Sequence, residues 1–151
     1  MRSDANTAFG CAMIGERGGT WQVPCIDMPL LGGNGTDSLI GGDGADRLVG
    51  GNGNDVMNGG AGGDVFVLGS GFGNDRVNGF DANPDANGSD FLELSGLGVT
   101  AANFATRVLI TDIGADTLVT ITNSGAIVGG TITLVGIDNM ATVTAADFIL
   151  A

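Results

Sequence analysis

Aspartates and glycines recur together at a fixed nine-residue interval between Gly32 and Val67. The chain reads GGNGTDSLI, GGDGADRLV, GGNGNDVMN and GGAGGDVFV, with an aspartate at the sixth position of each unit and an apolar residue two positions later. The glycines allow tight turns that point backbone carbonyls toward a common point. Carboxylates and carbonyls are the ligands that Ca²⁺ prefers, whereas zinc favours nitrogen and sulfur, and the chain has no histidine. The spacing therefore predicts calcium-binding turns.

The candidate ligands are the sixth-position carboxylates and the carbonyl oxygens of the turn glycines. A fifth, degenerate unit runs from Ser70 to Asn78 and starts two residues late. The candidate carboxylates are Asp37, Asp46, Asp55, Asp64 and Asp75. The candidate glycines are Gly32, Gly33, Gly35, Gly41, Gly42, Gly44, Gly50, Gly51, Gly53, Gly59, Gly60, Gly62 and Gly73. Because one turn cannot fill a coordination shell of about six to eight oxygens, two stacked turns must share each ion, which predicts two to three calcium sites or more.

The short distance between turns predicts how they pair. Three residues, such as those at 38–40, span roughly 10 Å as a strand, so the next turn must reverse the chain. Successive turns then alternate between two edges, so Asp37 should face Asp55, Asp46 should face Asp64, and Asp75 could close a third site with the Asp55 turn. The predicted fold is all-β: a parallel β-roll, a two-stranded calcium-binding solenoid, followed by a C-terminal β cap. Its narrow interior should hold Leu39, Leu48, Met57 and Phe66.

The segment from Gly32 to Val77 resembles the RTX family, the hemolysin-type calcium-binding repeats of secreted bacterial proteins. The stretch FGNDRVNGFDANPDANGSDFLELSGLG is similar to the segment that caps such rolls in relatives of the serralysin C-terminal domain. The terminal DFILA resembles the tail of many type I secretion substrates. The resemblance implies a secreted, extracellular bacterial protein with the type I secretion machinery as a partner. Gly79 stands where family members often carry an aspartate, so one ligand near the cap is expected to be missing.

Three segments are expected: residues 1–31 of unknown role and a candidate end cap, the roll over 32–78, and the C-terminal cap with its secretion signal over 79–151. Trp21, Val23, Ile26 and Leu30 are expected to pack on the first coil, since an open solenoid end needs a cover. Cys11 and Cys25 either close a loop in an oxidising medium or remain thiols.

Alternating strands are predicted after Asp90 in FLELS, RVLIT, TLVTIT and TITLVGI, with a loop over 123–130. The related sequences VTAANF and VTAADF each place a threonine three residues before Asn103 or Asp147, which predicts short capped helical turns. The loop over 81–93 partly matches an EF-hand, but Ala86 stands where the turn glycine belongs. Two interpretations remain open there: an ordinary polar loop, or a further calcium site that uses Asp81 or Asp90.

Composition excludes several classes of function. The net charge of −12 makes nucleic acid an improbable partner, because its phosphates require a basic surface. No stretch has eighteen apolar residues, so no transmembrane segment is predicted. The chain has no histidine, lysine or tyrosine and no HExxH zinc motif, so it is not expected to be an enzyme.

The predicted function is that of a calcium-binding module that stays unfolded where calcium is scarce and folds on binding it after export. The few apolar side chains of the roll cannot offset the entropy of ordering it, so the ion must supply folding free energy. An adhesin or surface-layer binding module is the alternative. A non-catalytic tail of a secreted hydrolase is a further one.

Changing Asp55 to alanine should remove more calcium sites than changing Asp37, because the Asp55 turn has a neighbour on each side along its edge. Calorimetric titration of the two variants measures the loss. Equal losses would contradict the proposed pairing of turns.

Overall fold

The computed structural model describes residues 7–9, 29–82 and 88–151. The described strands are β1 (Thr7–Phe9), β2 (Leu30–Asn34), β3 (Ser38–Asp43), β4 (Arg47–Asn52), β5 (Val56–Ala61), β6 (Val65–Val67), β7 (Asn74–Asn78), β8 (Phe91–Glu93), β9 (Val108–Asp112), β10 (Thr117–Ile121), β11 (Gly130–Val135) and β12 (Phe148–Ile149). Helical structure in these ranges comprises α1 (Phe104–Arg107) and 3₁₀ turns at Ser95–Leu97, Met140–Thr142 and Ala145–Asp147. The described chain is thus mostly β.

Two sheets face each other across a single interior. The first sheet has the strand order β1-β3-β5-β7-β11-β10-β9, and the second has the order β12-β8-β6-β4-β2. Inside the roll every pairing is parallel, and Leu39 lies opposite Met57 while Leu48 lies opposite Phe66. Alternate units therefore stack in the same sheet, which confirms the predicted parallel β-roll.

The strands are longer than the spacing alone predicts. Instead of three residues, β3, β4 and β5 each have six, because the glycines that open the next unit stay in the ladder. Gly42 lies opposite Gly60, and Gly33 lies opposite Gly51. The turn itself is confined to the fourth to sixth residues of each unit, such as 44–46, and it includes the aspartate.

The interior is filled by one apolar side chain from each unit. The predicted core residues Leu39, Leu48, Met57 and Phe66 are all at most 1% exposed. Leu48 and Phe66 belong to a continuous row of buried side chains in the second sheet, formed by Leu30, Leu48, Phe66, Leu92 and Phe148. Leu30 therefore lies inside the roll itself, opposite Leu48. The remaining expectations for the N-terminal segment concern residues outside the described ranges: Trp21, Val23, Ile26, Cys11 and Cys25.

The C-terminal part continues the sheets of the roll. β11 adds in parallel to β7, and β10 and β9 follow as antiparallel neighbours. β8 and β12 extend the second sheet in parallel. The four strands predicted after Asp90 are confirmed, and the first of them, FLE, lies in the second sheet as the next layer of the roll. Shared hydrogen bonds thus join the roll and the cap.

Both predicted capped turns are present. At the second, the Thr144 N–H donates to Asp147 Oδ2 at 2.6 Å and the Ala146 N–H donates to Thr144 Oγ1 at 3.3 Å, which is a capping box. At the first, Asn103 Oδ1 accepts from the Thr100 N–H at 2.8 Å. The short helix after it ends at Arg107, a buried residue that donates to the carbonyls of Leu97 and Thr122 at 2.9 and 2.7 Å. This guanidinium joins the end of α1 to the Ser95–Leu97 turn and to the residue after β10.

Position 51 requires glycine for two reasons: its φ is positive, and the neighbouring turn stacks closely against it. Gly33 and Gly51 both have φ of +107°. A Cβ at Gly51 would collide with the Gly33 carbonyl oxygen, whereas a Cβ at Gly33 has no described atom within 4 Å. The two glycines share one backbone conformation and differ in the space beside it.

Gly51→Ala should therefore destabilise the calcium-loaded protein more than its matched control Gly33→Ala. Both variants carry the cost of a left-handed alanine, about 1–2 kcal/mol, and only the first must also separate two turns. Urea unfolding in saturating calcium measures the difference. Equal destabilisation would show that stacking distance does not constrain this position.

Candidate metal centre

The turns bring the aspartates into two columns, one on each edge of the roll. The first-edge column contains Asp37, Asp55 and Asp75, and the second-edge column contains Asp46, Asp64 and Asp90. The strands that follow Asp37, Asp46, Asp55 and Asp64 each pair in parallel with the strand at the next aspartate of the same column, and Asp75 lies within its strand, β7. The structure thus brings the Asp37 turn to the Asp55 turn and the Asp46 turn to the Asp64 turn, as the spacing predicts.

One oxygen of each later carboxylate is fixed by the turn before it. The Asp37 N–H donates to Asp55 Oδ1 at 2.9 Å, and the Asp55 N–H donates to Asp75 Oδ1 at 2.9 Å. On the second edge the N–H groups of Asp46 and Asp64 donate to Oδ1 of Asp64 and Asp90, each at 2.8 Å. This ladder holds the carboxylates in a fixed orientation, which is what a preorganised site needs.

The second carboxylate oxygen is buried without a hydrogen-bond partner. This holds for Oδ2 of Asp46, Asp55, Asp64 and Asp75. A buried polar atom with no partner costs about 1–3 kcal/mol, and more when it is charged. Four such atoms in regular positions indicate that these oxygens have a ligand that is not part of the polypeptide.

The first glycine of each unit leaves room for that second oxygen. A Cβ at Gly41 would lie 2.6 Å from Asp46 Oδ2, and a Cβ at Gly50 or Gly59 would be closer still to Oδ2 of Asp55 or Asp64. Any side chain at these positions would push the carboxylate out of place. The repeat therefore needs glycine here for the site and not for backbone conformation alone, since none of the three has a positive φ.

Backbone carbonyls of the turn glycines point from one turn toward the next on the same edge. A Cβ at Gly53 would collide with the Gly35 oxygen, and Cβ atoms at Gly60 and Gly62 would collide with the oxygens of Gly42 and Gly44. Among the described residues, no three acidic, histidine or cysteine side chains come together. A cation between stacked turns would therefore take carbonyl or water oxygens in addition to carboxylates, a set that suits Ca²⁺.

Asp90 belongs to a sixth layer of the roll that the nine-residue spacing does not show. It follows Asp64 by 26 residues, but it accepts from the Asp64 N–H, and the strands after the two aspartates pair in parallel with Val65 opposite Phe91. The signal was present in the sequence, because GSDFLEL aligns with GGDVFVL without a gap and shares its first glycine, its aspartate and its last leucine. For the loop over 81–93, an ordinary polar loop and a further calcium site were both open. The structure places Asp90 of this loop in the second-edge column. Residues 83–87 lie outside the described ranges.

The two columns end differently. On the first edge, the residue in register with Asp75 on the next strand is Ile132, a fully buried side chain. On the second edge, Asp90 Oδ2 accepts from the Asp81 N–H at 2.9 Å, and the Asp90 N–H donates to the Asp81 carbonyl at 2.8 Å. Asp75 therefore faces an apolar neighbour, whereas Asp90 is closed by a further turn of the chain.

Burial disfavours the charged form of these carboxyls in the protein without metal. Burial, together with repulsion from Asp90 and Asp46, raises the pKa of Asp64 to about 6. Burial and the charge of Asp55 raise the pKa of Asp75 to about 7. Burial also raises the pKa of Asp46, Asp55 and Asp90 above its ordinary value. The columns therefore need either protons or a cation to be neutralised.

The architecture and the columns together define a calcium-type parallel β-roll. Residues 31–66 match the family model for the RTX calcium-binding nonapeptide repeat in four copies. This part of the chain therefore carries RTX repeats. The repeat family is typical of secreted proteins, and its presence implies Ca²⁺ binding. No curated protein sequence matches the chain. Among the described residues, no helix has the length and apolar character needed to cross a membrane.

Solved structures that share the fold include two subunits of one enzyme. The AlgE6R3 subunit of the Azotobacter vinelandii mannuronan C5-epimerase matches with a TM-score of 0.60 and 25% identity, covering 88% of this chain and 85% of that chain. The AlgE6R2 subunit of the same enzyme matches with a TM-score of 0.56 and 28% identity, covering 83% and 88%. The similarity includes the C-terminal part as well as the repeats.

Without calcium, acid should stabilise the folded roll. The folded pKa values of Asp64 and Asp75, about 6 and about 7, lie above the ordinary 3.8, so folding takes up protons. Their contribution is fully present below the ordinary pKa and is lost as the pH rises through 6 to 7. In calcium-free buffer, circular dichroism should therefore show more β-structure at pH 5.5 than at pH 7.5. Asp75→Asn should reduce this dependence; an unchanged pH profile in that variant would contradict the assignment.

Proposed function

We propose that the chain is a non-catalytic calcium-binding module of a secreted bacterial protein, whose roll folds when Ca²⁺ binds between stacked turns. The observation that carries the proposal is the set of buried, unpartnered Oδ2 atoms of Asp46, Asp55, Asp64 and Asp75. A divalent cation would satisfy these atoms and offset the repulsion within each column.

The proposed sites lie between neighbouring turns of one column. The first edge offers the pairs Asp37–Asp55 and Asp55–Asp75, and the second edge offers Asp46–Asp64 and Asp64–Asp90. Each pair would contribute its carboxylates, and the glycine carbonyls between the two turns would complete the shell. Four sites follow from this arrangement, in line with the two to three sites or more expected from the repeat units.

Calcium-dependent folding would assist export of the chain. Where calcium is scarce the chain would remain unfolded and able to pass through a type I channel, and it would fold outside the cell. Extracellular calcium modules bind with Kd of roughly 10⁻⁴ to 10⁻³ M, so each site alone contributes little and several must fill together. The roll over 32–78 and the cap over 79–151 would then fold as one unit, because their strands share hydrogen bonds. The folded protein would be extracellular.

A second candidate is a non-catalytic module of a larger secreted enzyme that acts on a polysaccharide. The similarity to two subunits of a mannuronan C5-epimerase favours it over an adhesin or surface-layer component. Calcium-driven folding would serve both roles equally. Titration of the calcium-loaded protein with mannuronan separates them, because only the second candidate predicts binding.

Calorimetric titration tests the proposed sites directly. The wild-type protein should bind about four calcium ions. Asp64→Asn should bind about two, because Asp64 belongs to two pairs, while the matched control Asp138→Asn, an exposed acid outside both columns, should bind as many as wild type. Magnesium should not replace calcium, since it demands a tighter octahedral shell. Equal stoichiometry in the two variants would overturn the assignment of the second edge.

A further inference from the structure

A cavity of about 600 Å³ lies beside β8, away from the turns that hold the aspartate columns. The 3₁₀ turns Met140–Thr142 and Ala145–Asp147 contribute one wall, and Phe91 and Ser89 belong to the other. Three alanines complete the lining, and none of the lining residues is a column aspartate. A volume of this size is typical of sites for small organic groups. The cavity is thus a candidate binding site distinct from the proposed calcium sites.

A buried carboxylate lines the cavity. Asp147 is only 5% exposed, and it lies at the level of Phe91 because Phe148 pairs with Leu92. Its Oδ2 accepts from the Thr144 N–H at 2.6 Å and from the Thr144 Oγ1–H at 3.1 Å. No described residue donates to its Oδ1. Because a buried, ionised oxygen is costly without a donor, Oδ1 favours a bound group that donates to it.

The threonine hydroxyls of the cavity present lone pairs and not protons. The Thr142 Oγ1–H donates to the Asn139 carbonyl at 2.8 Å, and the Thr144 Oγ1–H donates to Asp147. A hydroxyl has a single proton, so neither threonine retains one for a ligand. Among the described contacts, Ser89 is the lining hydroxyl whose proton is not already used. The polar part of the cavity therefore selects a group that donates hydrogen bonds and has no acceptor of its own.

We propose that this cavity binds a primary alkylammonium group, as found at the end of a lysine side chain or in a free amine. An ammonium has three donors and no acceptor, and its charge neutralises Asp147. The ring of Phe91 offers a face to the cation, and the alanine side chains offer apolar contacts to its methylenes. A carboxylate would be repelled by Asp147, and a sugar hydroxyl would bring its own lone pairs against those of the threonines. The site adds an organic ligand to a module whose proposed function involves calcium alone.

Composition indicates where the alkylammonium comes from. The chain has no lysine, so neither the chain itself nor a second copy of it can supply a lysine side chain. Its net charge of −12 attracts cations to the surface over long distances. The ligand would therefore be another kind of molecule, either a protein that presents a lysine or a small amine.

Amide NMR titration of the folded full chain in saturating calcium, with n-butylamine hydrochloride at neutral pH, tests the site. The amides of Thr142, Thr144 and Ala146 should shift and saturate, and n-butanol, which has the same stem without the charge, should cause no such shifts. Asp147→Asn keeps an oxygen that accepts from the capping turn and removes the charge, so it should weaken binding about tenfold or more. The matched control Asp138→Asn removes a charge from an exposed position and should leave the Kd close to that of wild type.

A second variant and a second probe make the test complete. Phe91→Leu keeps an apolar side chain and removes the aromatic face, and it should weaken binding about two- to fivefold. The capped peptide Gly-Lys-Gly separates the two sources: tighter binding than n-butylamine supports a lysine-bearing partner, and equal or weaker binding supports a free amine. Shifts that do not saturate in wild type, equal binding of n-butanol, or equal Kd values in wild type and Asp147→Asn would overturn the site. The titration requires only a folded chain, so its result does not depend on the number of calcium ions bound.

Discussion

The fold depends on neutralising carboxylates that the backbone forces into two buried columns. Each unit delivers one aspartate to an edge, and the turn before it fixes one carboxylate oxygen by a backbone N–H. The other oxygen is left without a protein partner at Asp46, Asp55, Asp64 and Asp75. Apolar burial in so narrow an interior cannot offset both the ordering entropy and this electrostatic cost. In the proposed function, neutralisation by a cation is therefore part of the folding reaction and not an addition to a finished structure.

The glycines serve the same constraint in two different ways. The first glycine of a unit has an ordinary φ and leaves space for the carboxylate, as Gly50 does for Asp55. Glycines such as Gly53 and Gly60 adopt positive φ and allow the carbonyl of the previous turn to approach. A substitution of the first kind would displace a carboxylate, whereas one of the second kind would separate two turns. The nine-residue repeat thus encodes the site and the stacking distance together.

The sequence predicted the features that follow from local periodicity. The nine-residue interval predicted the parallel roll, the interior positions and the pairing of Asp37 with Asp55 and of Asp46 with Asp64. It did not predict that strands would extend into the glycine pairs, since hydrogen-bond register across the sheet decides strand length. The layers contributed by β8, β11 and β12 were also beyond it, because their partners are remote in sequence. Asp90 shows where prediction from the nine-residue interval ends. The residues between Asn78 and Asp90 interrupt the interval, although the sequence around Asp90 resembles the sequence around Asp64.

Small-angle X-ray scattering of the purified chain, with calcium and with excess chelator at neutral pH, tests the central claim most directly. A folded chain of this length has a radius of gyration of about 15 Å and an unfolded one about 40 Å. The account predicts a compact particle in calcium and a value near that of the unfolded chain in chelator, with full recovery when calcium is restored. A particle that stays near 15 Å in chelator would contradict it, because the columns would then be stable without a cation.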